Sequence, residues 1–138
     1  KPDDFSVPAP DGPFDYYSNF IEGGQYPRLC RRPRGGGQEQ ILLDGNAEAD
    51  GKPYWDLGAK THSTDHKLLA YAVDTNGSER YVLKVRDLVT GAELTDIIEN
   101  WRYGLIWAAD SKSFLYTDAD ENWRSKLSGI IGSAMRKR

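Results

Sequence analysis

Between Leu68 and Leu88 the chain reads LLAYAVD, TNGSE, RYVLKVRDL: two apolar-rich runs of strand length on either side of an Asn-Gly pair. Asn76-Gly77 is the strongest short-range hairpin signal, because both residues tolerate the left-handed backbone of a tight turn between twisted strands. Along the first run, Leu68, Ala70 and Ala72 fall on one face and Leu69, Tyr71 and Val73 on the other. A strand apolar on both faces must be covered on both, as when sheets stack face to face. This stretch therefore has to fold as part of a layered β structure.

The rest of the chain extends the pattern. Residues 54–62 form a strand that leads through Ser63-Thr64-Asp65-His66-Lys67 into 68–74. After 81–86 a Val-Thr-Gly turn leads to a more polar strand in 92–100, placed near the rim. Two further strands lie within 103–118, about the turn Asp110-Ser111-Lys112. Upstream, strands are expected over 14–21, 26–32 and 38–44, with Gly23-Gly24 as a turn, Arg32-Pro33-Arg34-Gly35-Gly36-Gly37 as a loop and 45–53 as a longer connection. Residues 1–13, with Pro2, Pro8, Pro10 and Pro13, read as an extended lead-in without a folded element.

The unit strand–STDHK–strand recurs as strand–ADSKS–strand after about 46 residues. Four-stranded antiparallel meanders at that period are the mark of propeller blades. The expected class is all-β, with antiparallel four-stranded meanders forming about two to three blades of an incomplete β-propeller. An ordinary meander or sandwich stays open as the alternative. The expected organisation is a lead-in over 1–13, a partial propeller over 14–124 with one full blade at about 54–99, and a divergent tail over 125–138.

Composition narrows the partners. With 138 residues the chain is long enough for one real core, yet only 38% of them are hydrophobic, so patterning must build it. A net charge of −3 gives no general attraction to nucleic acid or anionic membrane, and neither is expected as a partner. No apolar run reaches spanning length. Cys30 is the single cysteine, so no internal disulfide framework forms, which points to a reducing cytoplasm. The first residue is Lys1 rather than Met, which makes a missing signal peptide weak testimony on compartment.

Few residues invite a chemical reading. No Gly-x-Ser-x-Gly occurs, so the chain has no nucleophile elbow. His62, Asp65 and His66 form a H-x-x-D-H pattern, but that spacing suits two ligands on a helix better than a hairpin turn. Cys30 sits among Arg28, Arg31, Arg32 and Arg34, which would favour thiolate, against the plainer reading of a half-buried strand cysteine. The Arg/Gly-rich loop lacks the strand–loop–helix setting of a phosphate cradle. From Leu127 onward, apolar positions 127, 130, 131, 134 and 135 fit helical spacing before a basic end, but Gly129 and Gly132 weaken a helix; a loose tail is expected. No catalytic, cofactor or metal residue is assigned and no cofactor is expected.

The segments FDYYSNFIEGGQYPRLCRR, ILLDGNAEADG, WDLGAKTHSTDHKLLAYAVDTNGSERYVLKVRDLVTGAEL, IIEN and WAADSKSFLYTDADENWR resemble, in order and spacing, the start of the propeller in the prolyl oligopeptidase family, most of all its oligopeptidase B (protease II) branch. The resemblance spans residues 14–124. It implies a serine peptidase that acts on peptides, cleaves after basic residues in this branch, and carries its Ser, Asp and His on an α/β-hydrolase domain. The propeller caps that domain and filters substrate by size. The hydrolase domain and most blades are missing here, and SKLSGIIGSAMRKR matches nothing expected after DENWR. The implied role is substrate gating by a chain inactive alone, with peptides met only through the intact enzyme. The missing hydrolase domain is then the main partner. A free-standing β-rich interaction module is the alternative. Open blades would also promote self-association, through segments holding Trp55, Trp101, Ile106, Trp107 and Leu115.

Overall fold

A computed structural model of the chain describes residues 8–94, 97–111, 113–118, 123–127 and 135–137. It divides into two compact units, Lys1–Lys52 and Pro53–Arg138.

The first unit is a four-stranded antiparallel sheet in chain order: β1 (Ala9–Asp11), β2 (Phe14–Asn19), β3 (Arg28–Pro33) and β4 (Gln40–Asp44). The sequence suggested no folded element before Phe14, yet β1 pairs with β2, Pro10 opposite Asp15. As an edge strand it needs no ladder on its outer side, so prolines are tolerated there. The connection after β4 holds a single turn of helix, α1 (Gly45–Ala49), where a plain loop was expected. Asp44 caps it by accepting from the Asn46 N–H at 2.9 Å. The Asn46 carboxamide then accepts from the Gln25 and Tyr26 N–H groups at 3.1 Å and donates to the Tyr26 carbonyl at 3.0 Å, tying the helix to the β2–β3 connection. Within the sheet Arg31 is only 5% exposed. Its guanidinium lies 3.9 Å from the centre of the Phe14 ring, Nε donates to Gln40 at 2.7 Å and Nη1 to the Tyr16 hydroxyl at 3.2 Å. A planar cation stacked on an aromatic face, with its donors directed sideways, is how an arginine can be buried.

The second unit is one antiparallel sheet in sequence order: β5 (Asp56–His62), β6 (Leu68–Asp74), β7 (Tyr81–Asp87), β8 (Ile98–Trp107), β9 (Ser113–Asp118), β10 (Trp123–Leu127) and β11 (Met135–Lys137). Residues 69–74 of β6 are all buried, as expected for a strand covered on both faces. The expected rim strand starts only at Ile98 and continues without interruption into the first strand of the next repeat. Along β8, Ile98 and Trp101 pair with Leu83 and Tyr81, the register then slips, and Leu105–Trp107 pair with Tyr116–Phe114 of β9. One strand thus closes one meander and opens another. The second half lies back against β5, three strands away in the sheet: β5 packs on β8, and the Trp107 indole donates to the Thr61 carbonyl at 3.0 Å. Two four-stranded meanders sharing β8 therefore stack, and Ala70, Ala72, Leu83, Val85, Ile98, Trp101, Trp107, Phe114 and Tyr116 form the core. The two alanines on β6 leave depth for the tryptophans.

The tail departs from expectation. Residues 123–127 pair with β9 and 135–137 pair with 124–126, so the described parts of 125–138 are strand, not helix. The edge of β9 offers a row of backbone partners, while glycines at 129 and 132 penalise the helical alternative. The apolar positions 130, 131 and 134 lie outside the described residues. Trp55, Trp101 and Trp107, expected to lose their cover, are 4%, 6% and 9% exposed. Ile106 does lie open, at 55%.

Candidate functional site

The most organised surface feature is the pair of repeat turns at one end of the second unit. In the turn after β5, the Ser63 N–H donates to the Leu68 carbonyl at 2.8 Å and the His66 N–H to the Ser63 carbonyl at 3.0 Å. After β8, Ala108 to Ser113 at 2.9 Å and Ser111 to Ala108 at 3.0 Å repeat the arrangement. His66 and Ser111 occupy the same place in the two turns and share a left-handed backbone, φ 65° and 61°. The repeat visible in sequence is thus a repeat of turn geometry.

The turns also bind each other. The Thr64 hydroxyl donates to the Ala109 carbonyl, 45 residues on, at 2.8 Å and lies 2.5 Å from the Ser111 hydroxyl. The Asp65 N–H donates to the Ser111 oxygen at 2.8 Å. Ser111 is buried, so the two bonds to its hydroxyl are partly shielded from water, whereas the Thr64–Ala109 bond is exposed. Sequence reading passed over Thr64 and Ser111; the signal available was a hydroxyl residue in each copy of the repeated turn.

The H-x-x-D-H residues separate by role. The His62 and His66 rings stack, with centroids 5.2 Å apart and planes 24° from parallel. Asp65 instead closes the turn: one carboxylate oxygen accepts from the Ser63 hydroxyl at 2.6 Å and from the Lys67 N–H at 3.0 Å. Burial pushes its acid up, but the Ser63 hydroxyl, the Lys67 N–H and the Lys67 charge outweigh it and hold the acid below the usual aspartate range. Ser63 itself is fully buried, and its oxygen also accepts from the Leu68 N–H at 3.0 Å. A hydroxyl so enclosed cannot reach a substrate carbonyl, and the sequential Ser–Asp–His does not form a triad.

Two arginines of the basic stretch share one carboxylate. Glu39 lies 4.0 Å from Arg28 and 3.9 Å from Arg32, and accepts the hydroxyl of Tyr17. Burial, then that bond, push the Tyr17 phenol up to about 12. Cys30 is 1% exposed, and burial followed by the Glu39 charge raises its thiol to about 11 against the opposing pull of Arg28 and Arg32. It is a protonated core residue, more deeply buried than the half-buried strand position expected for it. Gly35, Gly36 and Gly37 form an exposed tip at positive φ. Gly23, Gln25, Tyr26, Asn46, Ala49, Asp50 and Gly51 line an open cleft of about 360 Å³. Of its two amides, Asn46 already holds the neighbouring loop.

Within the second unit the paired turns fasten one meander to the next. Residues 1–133 match the family described as "Prolyl oligopeptidase, N-terminal beta-propeller domain". The chain is 38% identical over 136 residues to dipeptidyl aminopeptidase BI of Pseudoxanthomonas mexicana, covering 87% of this chain and 19% of that protein. It is 31% identical over 144 residues to protease 2 of Moraxella lacunata, covering 94% and 21%. The chain therefore spans about a fifth of the length of these relatives. Among solved structures, oligopeptidase B of Leishmania major superposes with a TM-score of 0.86 at 22% identity, over 100% of this chain and 21% of that one. With its stacked four-stranded meanders and a family match over nearly its whole length, the chain belongs to the prolyl oligopeptidase family, within the N-terminal β-propeller domain.

Proposed function

We propose that these blades are the substrate-gating part of an oligopeptidase B-like serine peptidase that cleaves peptides after basic residues. The chemistry belongs to an α/β-hydrolase domain joined to them in the intact enzyme. The observation that carries this reading is the stacking of two meanders through β8 and the paired turns. Meanders tied to each other turn by turn form a wall, and a wall sorts peptides from folded proteins by size. The likeness to protease 2 supports the oligopeptidase B branch. Cys30, the lone cysteine and a buried thiol, supports a reducing, cytoplasmic setting.

On this reading the 138-residue chain hydrolyses no arginyl amide or ester above the uncatalysed background, while a longer protein joining it to a Gly-x-Ser-x-Gly domain does. Turnover by the purified short chain that a serine-directed inhibitor abolishes would overturn the proposal. The second reading, a free-standing interaction module, draws on the burial of Trp55, Trp101 and Trp107. It requires that the chain, with no hydrolase domain joined to it, bind a partner protein.

A further inference from the structure

The hairpin loop between β6 and β7 holds the Asn-Gly pair in an unusual setting. Asn76 and Gly77 are exposed, whereas Asp74 at the end of β6 is 1% exposed. Its carboxylate sits inside the loop: one oxygen accepts from the Asn76 N–H at 3.0 Å and the Gly77 N–H at 3.1 Å, the other from the Glu79 N–H at 2.8 Å. The Asn76 side-chain carbonyl accepts from the Ser78 N–H at 3.0 Å. Gly77 has φ 79°, and the Asp74 carboxylate is the side-chain group on its nitrogen.

An asparagine before glycine is prone to attack by its own backbone. The glycine nitrogen loses its proton and bonds to the asparagine Cγ, the bond from Cγ to the amide nitrogen breaks, and ammonia leaves with a proton. Water then opens the succinimide to aspartate or isoaspartate. The step needs a deprotonated amide that is close to Cγ and able to turn. Asp74 opposes both requirements: its negative charge disfavours an amide anion beside it, and its hydrogen bonds hold the Gly77 nitrogen pointing into the loop.

We propose that Asn76–Gly77 is a latent self-modification site guarded by Asp74, opened only when the loop lets go. Modification there sets a new carboxylate beside Asp74 and Glu79, or lengthens the backbone by one carbon, and either change breaks the hydrogen-bonded loop. The site would therefore record how often this hairpin opens.

The test is intact-mass and peptide mapping of the full chain held at mildly alkaline pH, beside a synthetic peptide of residues 68–87. In the native chain Asn76 should convert to aspartate or isoaspartate at least about tenfold more slowly than in the peptide, the scale of hydrogen bonds to a charged acceptor. Urea-unfolded chain should match the peptide. Asp74→Ala, shown folded by circular dichroism, should lose most of the protection, and Asp74→Asn, which keeps an acceptor without the charge, should fall between. If Asp74→Ala does not fold, Asp74→Asn and the native-to-peptide ratio decide. Native chain converting as fast as the peptide, or folded Asp74 variants as slow as wild type, would overturn the proposal.

Discussion

At Gly58 a single hydrogen atom makes room for a ring. A methyl group placed there would lie 2.6 Å from the Tyr81 ring, which reaches across the sheet to donate its hydroxyl to Asp56 at 2.6 Å and packs edge-on against Trp101, 6.0 Å between centroids. Gly58 is also the extra residue where the β5–β6 register slips. Gly58→Ala should destabilise the second unit by about 1–3 kcal/mol, the usual cost of overpacking. Urea unfolding measures it, and a Tyr81→Ala background should remove most of the penalty. Asp74 gives a second prediction at this scale. Burial pushes its acid up, but the Asn76, Glu79 and Gly77 N–H groups more than offset this and lower it in the folded state. A lowered folded value means that the stabilisation is complete above the unfolded value, about 3.9, and is lost as pH falls through the folded one. Urea midpoints should hold steady near neutrality and drop below about pH 4, with Asp74→Ala showing a shallower drop.

Among the elements, the paired turns bear most directly on how one meander is fixed to the next. Ser111→Ala removes the partner of both the Thr64 hydroxyl and the Asp65 N–H at a buried position, which should cost about 1–3 kcal/mol. Ser111→Gly should cost less, because glycine relieves the left-handed backbone while losing the same bonds. Thr64→Val should cost less in the Ser111→Ala background than in the wild type, the bond to the Ala109 carbonyl being what it still has to lose, and a double-mutant cycle by urea unfolding checks this coupling. How legible each element was follows from how local its cause is. The hairpin from β6 to β7 was readable because alternation and Asn-Gly act over a few neighbouring residues. The recurrence of STDHK in ADSKS was readable as well, down to the matching turns. β1 was not: its prolines suppress the strand signal, and only an edge position makes them harmless. α1 is five residues long, too short for a periodic pattern, and rests on the Asp44 cap. The passage of β8 from one meander to another and the Thr64–Ser111 contact depend on stacking of distant segments, which no local pattern encodes. The same holds for the histidines: their spacing brought the two rings together, while Asp65 went to the turn.

For the whole molecule the question is what the uncovered surface does. Trp55, Trp101 and Trp107 are buried, so among the described residues the large apolar groups open to association are Val89, Ile106, Ile97, Ile41, Tyr54 and Ile21, at 73%, 55%, 49%, 46%, 43% and 38% exposure. Scattered singly, such residues are ordinary. Ile106, however, stands opposite Leu115 on the β8–β9 ladder, so the two extend one apolar strip on a sheet face. Burying an isoleucine is worth about 1.5–3 kcal/mol, and a symmetric contact buries two. Against an association cost of at least about 4 kcal/mol, that leaves at most about 2 kcal/mol, a dissociation constant on the order of tens of millimolar, so this strip alone should not hold a dimer. Sedimentation velocity across a dilution series should show a monomer from low micromolar up to hundreds of micromolar concentration. Ile106→Lys should keep the chain monomeric throughout while leaving its urea midpoint nearly unchanged, since the side chain is more than half in water already. A weight-average coefficient that rises within this range would mean that a larger contact than the strip is made, and association unchanged by Ile106→Lys would place that contact on another surface.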